Sequence, residues 1–108
     1  MKVLLDESVP RALGFELEGH FVRTTQSVGF STLSNGKLMQ AMVEMGFEVL
    51  ITFDQNLPYQ HNAKLPVAII ILMAPNNRVE TAKGVANSIL ATLITCKPGQ
   101  LVRLSVPT

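Results

Sequence analysis

Two short apolar runs in this chain end on a carboxylate. Val3-Leu4-Leu5 runs into Asp6-Glu7, and Val49-Leu50-Ile51-Thr52-Phe53 runs into Asp54. If both runs are parallel strands of an α/β sheet, their acids emerge at the rim where such sheets collect ligand chemistry. Carboxylates gathered there repel one another unless a proton, a base or a cation intervenes. A hard divalent ion is the simplest remedy: magnesium takes one or two protein carboxylates and completes its octahedron with water and phosphate oxygens. Asp6 and Asp54 are therefore candidate catalytic and metal-binding residues for chemistry on a phosphate ester, with Glu7 beside them. The competing reading is structural. Asp6 would cap a helix or pair with Arg11, and Asp54 would open the turn before Pro58, both common uses of aspartate. Two independent strand ends delivering acids to one rim favour the functional reading.

Asn35, Asn56, Tyr59, Gln60 and Asn62 fall in loops expected at the same rim. Their amides and phenol could hold water, orient phosphate oxygens or read a base edge, and the same residue types are ordinary in loops. Arg23, Lys37 and Lys64 are either phosphate contacts or solvated charges, the second being the commoner role. His20 and His61 stand too far from other ligand types to suggest a nucleophilic pair or a zinc site.

The elements that must position these residues follow from periodicity and punctuation. Lys2–Asp6 reads as a first strand; Ser8 and Pro10 then start a helix with Val9, Leu13, Phe15 and Leu17 on its apolar side, closed by Gly19. His20–Thr25 is a second strand. Ser34-Asn35 caps a helix over about Gly36–Met45, whose apolar residues spread widely enough for burial on both sides, and Gly46 ends it. Glu48–Phe53 and Val67–Met73 are strands three and four, the latter apolar enough to be covered on both faces. The polar stretch 55–64 has room for a short helix only. Asn76-Asn77 caps a long helix from Arg78 to Thr95, with Val79, Ala82, Val85, Ala86, Ile89, Leu90, Leu93 and Ile94 facing inward. Lys97-Pro98-Gly99 turns the chain into a terminal strand, Leu101–Val106. This alternation predicts a three-layer α/β/α sandwich with a mostly parallel sheet of about five strands, formed by right-handed crossovers.

With 108 residues the chain is read as one domain, 1–108, large enough for a core without staples. A net charge of +1 is too weak a field to hold long nucleic acid by electrostatics alone, so any such contact must be local. The single cysteine, Cys96, excludes an internal disulfide and a multi-cysteine zinc site, and reads as apolar filling near a helix end. The amino terminus lacks the features of a secretory signal, and the apolar run Val67–Ala74 is too short to span a bilayer. The expected setting is the cytoplasm, with no membrane contact.

Several motifs together carry a family resemblance. They are Leu4-Leu5-Asp6-Glu7-Ser8-Val9-Pro10, Gly19-His20, the Gly29 loop, Ser34-Asn35-Gly36, and Leu50-Ile51-Thr52-Phe53-Asp54-Gln55-Asn56-Leu57 followed by Tyr59-Gln60. Over nearly its whole length the chain resembles the small stand-alone bacterial PIN-like domains, relatives of the VapC-type toxins. The resemblance implies a PIN-like α/β/α fold and a magnesium- or manganese-dependent ribonuclease. It further implies, as options, the toxin role in a toxin–antitoxin pair, with a small antitoxin protein as partner, and a homodimer. It sets Asp6 and Asp54 on the family's acidic metal positions. It also sets Asn35 and Asn56 where many relatives carry aspartate, so one metal site is expected rather than two, with Glu7, Asn35, Asn56, Tyr59 and Gln60 orienting substrate. Two other readings stay open. One is a catalytically silent PIN-like module that binds RNA or protein. The other is a phospho-receiver, suggested by the acids after strands one and three and by Lys97-Pro98, but lacking a serine or threonine at Ala74.

Overall fold

Alternation along the strands sorts apolar side chains between two cores, one on each side of a sheet. In a computed structural model, which describes residues 1–55, 66–74 and 78–105, that sheet consists of five strands. They are β1 (Lys2–Leu5), β2 (Phe21–Thr24), β3 (Val49–Thr52), β4 (Ala68–Met73) and β5 (Leu101–Ser105). All neighbours pair in parallel, in the order β2-β1-β3-β4-β5.

Val3, Leu5, Val49, Ile51, Ala68 and Ile70 face one core. It is covered by Leu13 and Leu17, in and just after a 3₁₀ helix (Arg11–Glu16), by Ala82 of α2 (Val79–Gly84), and by Ile89 and Leu93 of α3 (Ala86–Thr95). Leu4, Leu50, Ile69 and Ile71 face the other, closed by Leu38 and Met42 of α1 (Asn35–Glu44) together with Phe47. Helices thus lie on both faces, and β3 and β4 are apolar on both sides because neither side meets water. The result is a five-stranded, all-parallel α/β sandwich.

Several local expectations are corrected. The first helix is 3₁₀ and only six residues long. Gly14 in its middle weakens an α-helix, and a Cβ there would come within 3.3 Å of Val22 Cγ1, so the glycine lets this turn lie close against β2. Ser8 does not cap it; Pro10 occupies that position. Phe15, expected inside, is 79% exposed. Among the described side chains of α1 only Leu38 and Met42 are buried, whereas Val43, and Met45 just after the helix, are about half exposed, so one stripe packs rather than two sides. The long helix divides at Val85: Gly84 ends α2, and the buried Val85 bends the chain into α3. Val79 and Ile94 consequently point outward. Asn76-Asn77, read as the cap of that helix, lie outside the described residues.

The crossovers also depart from expectation. The step from β1 to β2 and the step from β4 to β5 run in opposite directions along the sheet, yet their helices cover the same face. The two connections therefore have opposite hand, and one breaks the right-handed rule. Gly19, Gly29, Gly46 and Gly99 all have positive φ, which suits the turns that close the first helix and α1 and that lead into β5. Cys96 is buried at the end of α3, its Sγ 3.9 Å from the Met1 sulfur, and burial pushes its thiol up. Among the described residues no helix is long and apolar enough to cross a membrane.

Candidate functional site

The strand order is the doubly wound arrangement whose ligand crevice opens beyond the carboxyl ends of β1 and β3. Asp6 follows β1 directly, and Asp54 lies two residues past β3. The register pairs Leu4 with Leu50 and Leu5 with Ile51. The next pair across the rim is Asp6 and Thr52, and the ladder reaches that far: the Asp6 amide donates to the Ile51 carbonyl at 3.1 Å.

Asp6 is only 8% exposed. Its Oδ1 accepts the Ser8 amide at 2.9 Å and the Ser8 hydroxyl at 2.5 Å, closing an Asx turn at the end of β1. Its Oδ2 accepts the hydroxyl of Thr52, which is completely buried. The two hydroxyls lie 3.4 Å apart, and each also accepts a backbone amide. Ser8 Oγ accepts the Phe53 amide at 3.0 Å, and Thr52 Oγ1 accepts the Asp54 amide at 2.9 Å. The backbone that presents Asp54 is thereby fastened to the carboxylate of Asp6 through one threonine. A carboxylate offers about four acceptor positions. Two are taken on Oδ1 and one on Oδ2, so Oδ2 retains acceptor capacity.

Burial pushes the Asp6 carboxyl above its ordinary value of 3.8; the bonds from Ser8 and Thr52 pull it back, and the Glu7 charge adds a further push upward. The partners of Asp6 are dipoles, not a cation, so Arg11 does not neutralise it. Asp54, by contrast, is exposed. Glu7 turns toward the neighbouring strand, where Oε2 accepts the hydroxyl of the buried Thr25 at 2.9 Å, just past β2.

Asn35 opens α1 after the loop that leaves the carboxyl end of β2; its side chain lies outside what the structure describes. Lys37 is exposed on the first turn of the same helix. Asn56, Tyr59, Gln60, His61, Asn62 and Lys64 lie outside the described residues altogether, as does the short helix expected within 55–64. Arg23 points away from the rim, its guanidinium over the Phe21 ring at 3.9 Å. Lys97 precedes β5 and so sits at the opposite, amino-terminal rim, which removes the lysine that suggested a receiver.

Thr52, Ser8 and Thr25 organise the site, and reading the sequence for charge alone passes over them. Two signals were available: Asp6-x-Ser8 is the spacing of an Asx turn, and a threonine closes an otherwise aliphatic strand just before Phe53-Asp54.

Carboxylate and hydroxyl oxygens are hard donors, suited to a magnesium- or manganese-like ion rather than a thiophilic one. Among the described residues no three His, Cys, Asp or Glu side chains form a cage that would hold a metal unaided. An ion held there would have to complete its coordination sphere with oxygens from outside this set.

Two clefts adjoin the rim. One, of about 540 Å³, is bordered by Glu7, Arg11 and Gln26. A second, of about 420 Å³, lies between the 3₁₀ helix and β2 and is bordered by Phe15, His20, Phe21 and Arg23. Both include Arg11, Thr24 and Ser27, so they adjoin along one side of the molecule.

No protein-family model matches the chain, and neither a curated protein nor a solved structure shows significant similarity to it.

Proposed function

We propose that the β1/β3 rim is the site of a divalent-cation-dependent ribonuclease of PIN-like type. The observation that carries this reading is Asp6: a buried carboxylate at the sheet's switch point, held by dipoles, with acceptor capacity left on Oδ2 and a second acid two residues past the adjoining strand. Burying a carboxylate in that way costs stability, which a purely structural turn would avoid with asparagine or serine.

Asp6 and Asp54 would hold the cation. When bound, a magnesium or manganese ion supplies charge neutralisation at the phosphate and lowers the pKa of a neighbouring water. Thr52 and Ser8 fix the rotamer of Asp6 so that Oδ2 keeps one direction. Glu7, tied back by Thr25, sits at the mouth of the adjoining cleft and keeps the field at the rim negative, which draws cations and leaves phosphate to enter with one. Asn35, Asn56, Tyr59 and Gln60 are assigned the orientation of substrate. A small antitoxin protein remains the partner this reading implies.

The test is cleavage of an end-labelled single-stranded RNA with manganese, comparing wild type with the Asp6→Asn, Asp54→Asn double variant. Wild type should cleave and the variant should not; equal cleavage by both overturns the proposal. Thermal unfolding with added manganese reads the same site without turnover. Saturating metal at about a hundred times its Kd raises stability by about 2.7 kcal/mol in wild type and leaves the double variant unmoved.

A further inference from the structure

We infer that the cleft bordered by Glu7, Arg11 and Gln26 is a base pocket selective for guanine, seating the nucleotide beside the scissile phosphate and resting on the reading of the rim as a phosphodiester site. Thr25, buried just past β2, organises this pocket. Its hydroxyl lies 2.9 Å from Glu7 Oε2 and 3.3 Å from Gln26 Oε1, so the two polar ends stand side by side. A hydroxyl has one proton to give, and the carboxylate is the stronger acceptor. Glu7 Oε1 has no partner among the described residues, and Gln26 keeps an N–H to donate whichever way its amide is turned.

A carboxylate beside an amide donor is the complement of one base edge. On its Watson–Crick side guanine offers two adjacent N–H donors, at N1 and N2, followed by the O6 acceptor. Adenine and cytosine turn a ring-nitrogen lone pair to the same place, and uracil offers one N–H flanked by two carbonyls. Guanine alone can give two hydrogen bonds to Glu7 while its O6 accepts from Gln26. A base that meets the carboxylate with a lone pair leaves it unsatisfied, which is how a polar pocket rejects an analogue.

The remaining walls suit a nucleotide. Val9 and Pro10 provide an apolar side for the flat base, and about 540 Å³ is room for a nucleoside monophosphate. Arg11 borders the same cleft, and among the described residues it has neither a hydrogen bond nor an ion pair, with Glu7 or with any other acid. A guanidinium open to a cleft can take two phosphate oxygens at once. Glu7 by itself repels a nucleotide's charge. With the base on Glu7 and the phosphate on Arg11, both side chains are matched.

The experiment titrates the protein with the 5′-monophosphates of guanosine, adenosine, cytidine and uridine in EDTA, read by nuclear magnetic resonance, so that binding is measured without turnover. Guanosine monophosphate should bind at least about tenfold more tightly than the other three. Glu7→Ala, at an exposed position, should bring that ratio close to one. Because the ratio is taken within one protein, a change in stability does not imitate it. Arg11→Gln should weaken guanosine monophosphate about tenfold and leave guanosine, which has no phosphate, unchanged. Equal affinity for the four nucleotides, failure of guanosine monophosphate to saturate, or a guanine preference that survives Glu7→Ala overturns the inference. Guanine selectivity in a protein that never cleaves RNA keeps the pocket and removes the nuclease. Manganese-dependent cleavage without any guanine selectivity removes the pocket and keeps the nuclease.

Discussion

Asp6 and Asp54 close neighbouring parallel strands, yet they have opposite surroundings. Asp6 is 8% exposed and its carboxylate receives three hydrogen bonds; Asp54 is exposed, and its amide donates to the Thr52 hydroxyl that also serves Asp6. The difference arises from where each strand stops. β1 ends one residue before its acid, which therefore remains beneath the rim, whereas β3 runs to Thr52 and leaves Phe53 as a spacer. A buried acid below and an exposed acid above form an asymmetric pair.

The strongest way to break that comparison is to neutralise the acids one at a time. If Asp6 sets the geometry, Asp6→Asn should lower RNA cleavage on the order of a thousandfold, the loss of several kcal/mol of transition-state stabilisation. Asp54→Asn should cost less, about a hundredfold, because water can take the place of an exposed ligand. Single-turnover rates at saturating manganese make the measurement. Equal losses would make the pair symmetric, and a larger loss at Asp54 would reverse the roles.

Thr52→Val sharpens the comparison from the threonine's side. Valine keeps the shape in a fully buried position, so no cavity forms, but it removes the donor to Asp6 and the acceptor of the Asp54 amide. Leaving such groups unmet costs about 1–3 kcal/mol, readable as a shift of the urea midpoint. Thr25→Val, equally buried but bonded through its hydroxyl to Glu7 and Gln26 rather than to either strand-end aspartate, should cost less and should leave the affinity for manganese intact. If the two valine variants behave alike, the central threonine has no special hold on the acids.

Ser8→Ala falls lower on the scale. It deletes the hydroxyl between Asp6 and the Phe53 amide while the Ser8 backbone bond to Oδ1 remains, so about 1 kcal/mol of stability should be lost. Its effect on cleavage should stay below that of Thr52→Val, since Oδ2 keeps its partner.

The parts of this arrangement that were legible in the sequence are those fixed by period and punctuation. The aliphatic runs at 49–52 and 68–73 read as buried parallel strands because nothing charged interrupts them, and an acid at the end of such a run is placed by the strand itself. What escaped depends on contacts distant in sequence. Phe15 faces out because, two residues on from the buried Leu13, it lies on the far side of an α or a 3₁₀ turn alike, a spacing that outweighs its apolar type. That a helix divides at Val85 follows from Gly84 and from the pull of a buried valine toward the sheet. The burial of Asp6 depends on Thr52, 46 residues away, and no local pattern announces it. The opposed hands of two crossovers likewise depend on which face α2 and α3 cover, which periodicity leaves open.

The smallest expected effect tests the burial of Asp6 itself, through pH. Because its carboxyl is held above the ordinary value of 3.8, the folded protein keeps a proton there that the unfolded chain releases. The stability linked to this group is therefore fully present below about pH 4 and is lost as the pH rises through the folded value. An asparagine side chain carries no such proton, so in Asp6→Asn that component of the slope disappears. Urea denaturation of both proteins at a series of pH values should show the stability of wild type, relative to Asp6→Asn, falling from about pH 4 upward and then levelling. A saturating cation should lift the upper end of the wild-type curve alone, since it favours the ionised carboxylate and releases the proton on binding. If wild type instead gains on the variant as pH rises, the three donated hydrogen bonds outweigh burial. Asp6 would then be a stabilised anion with less to gain from a metal than from the turn it closes.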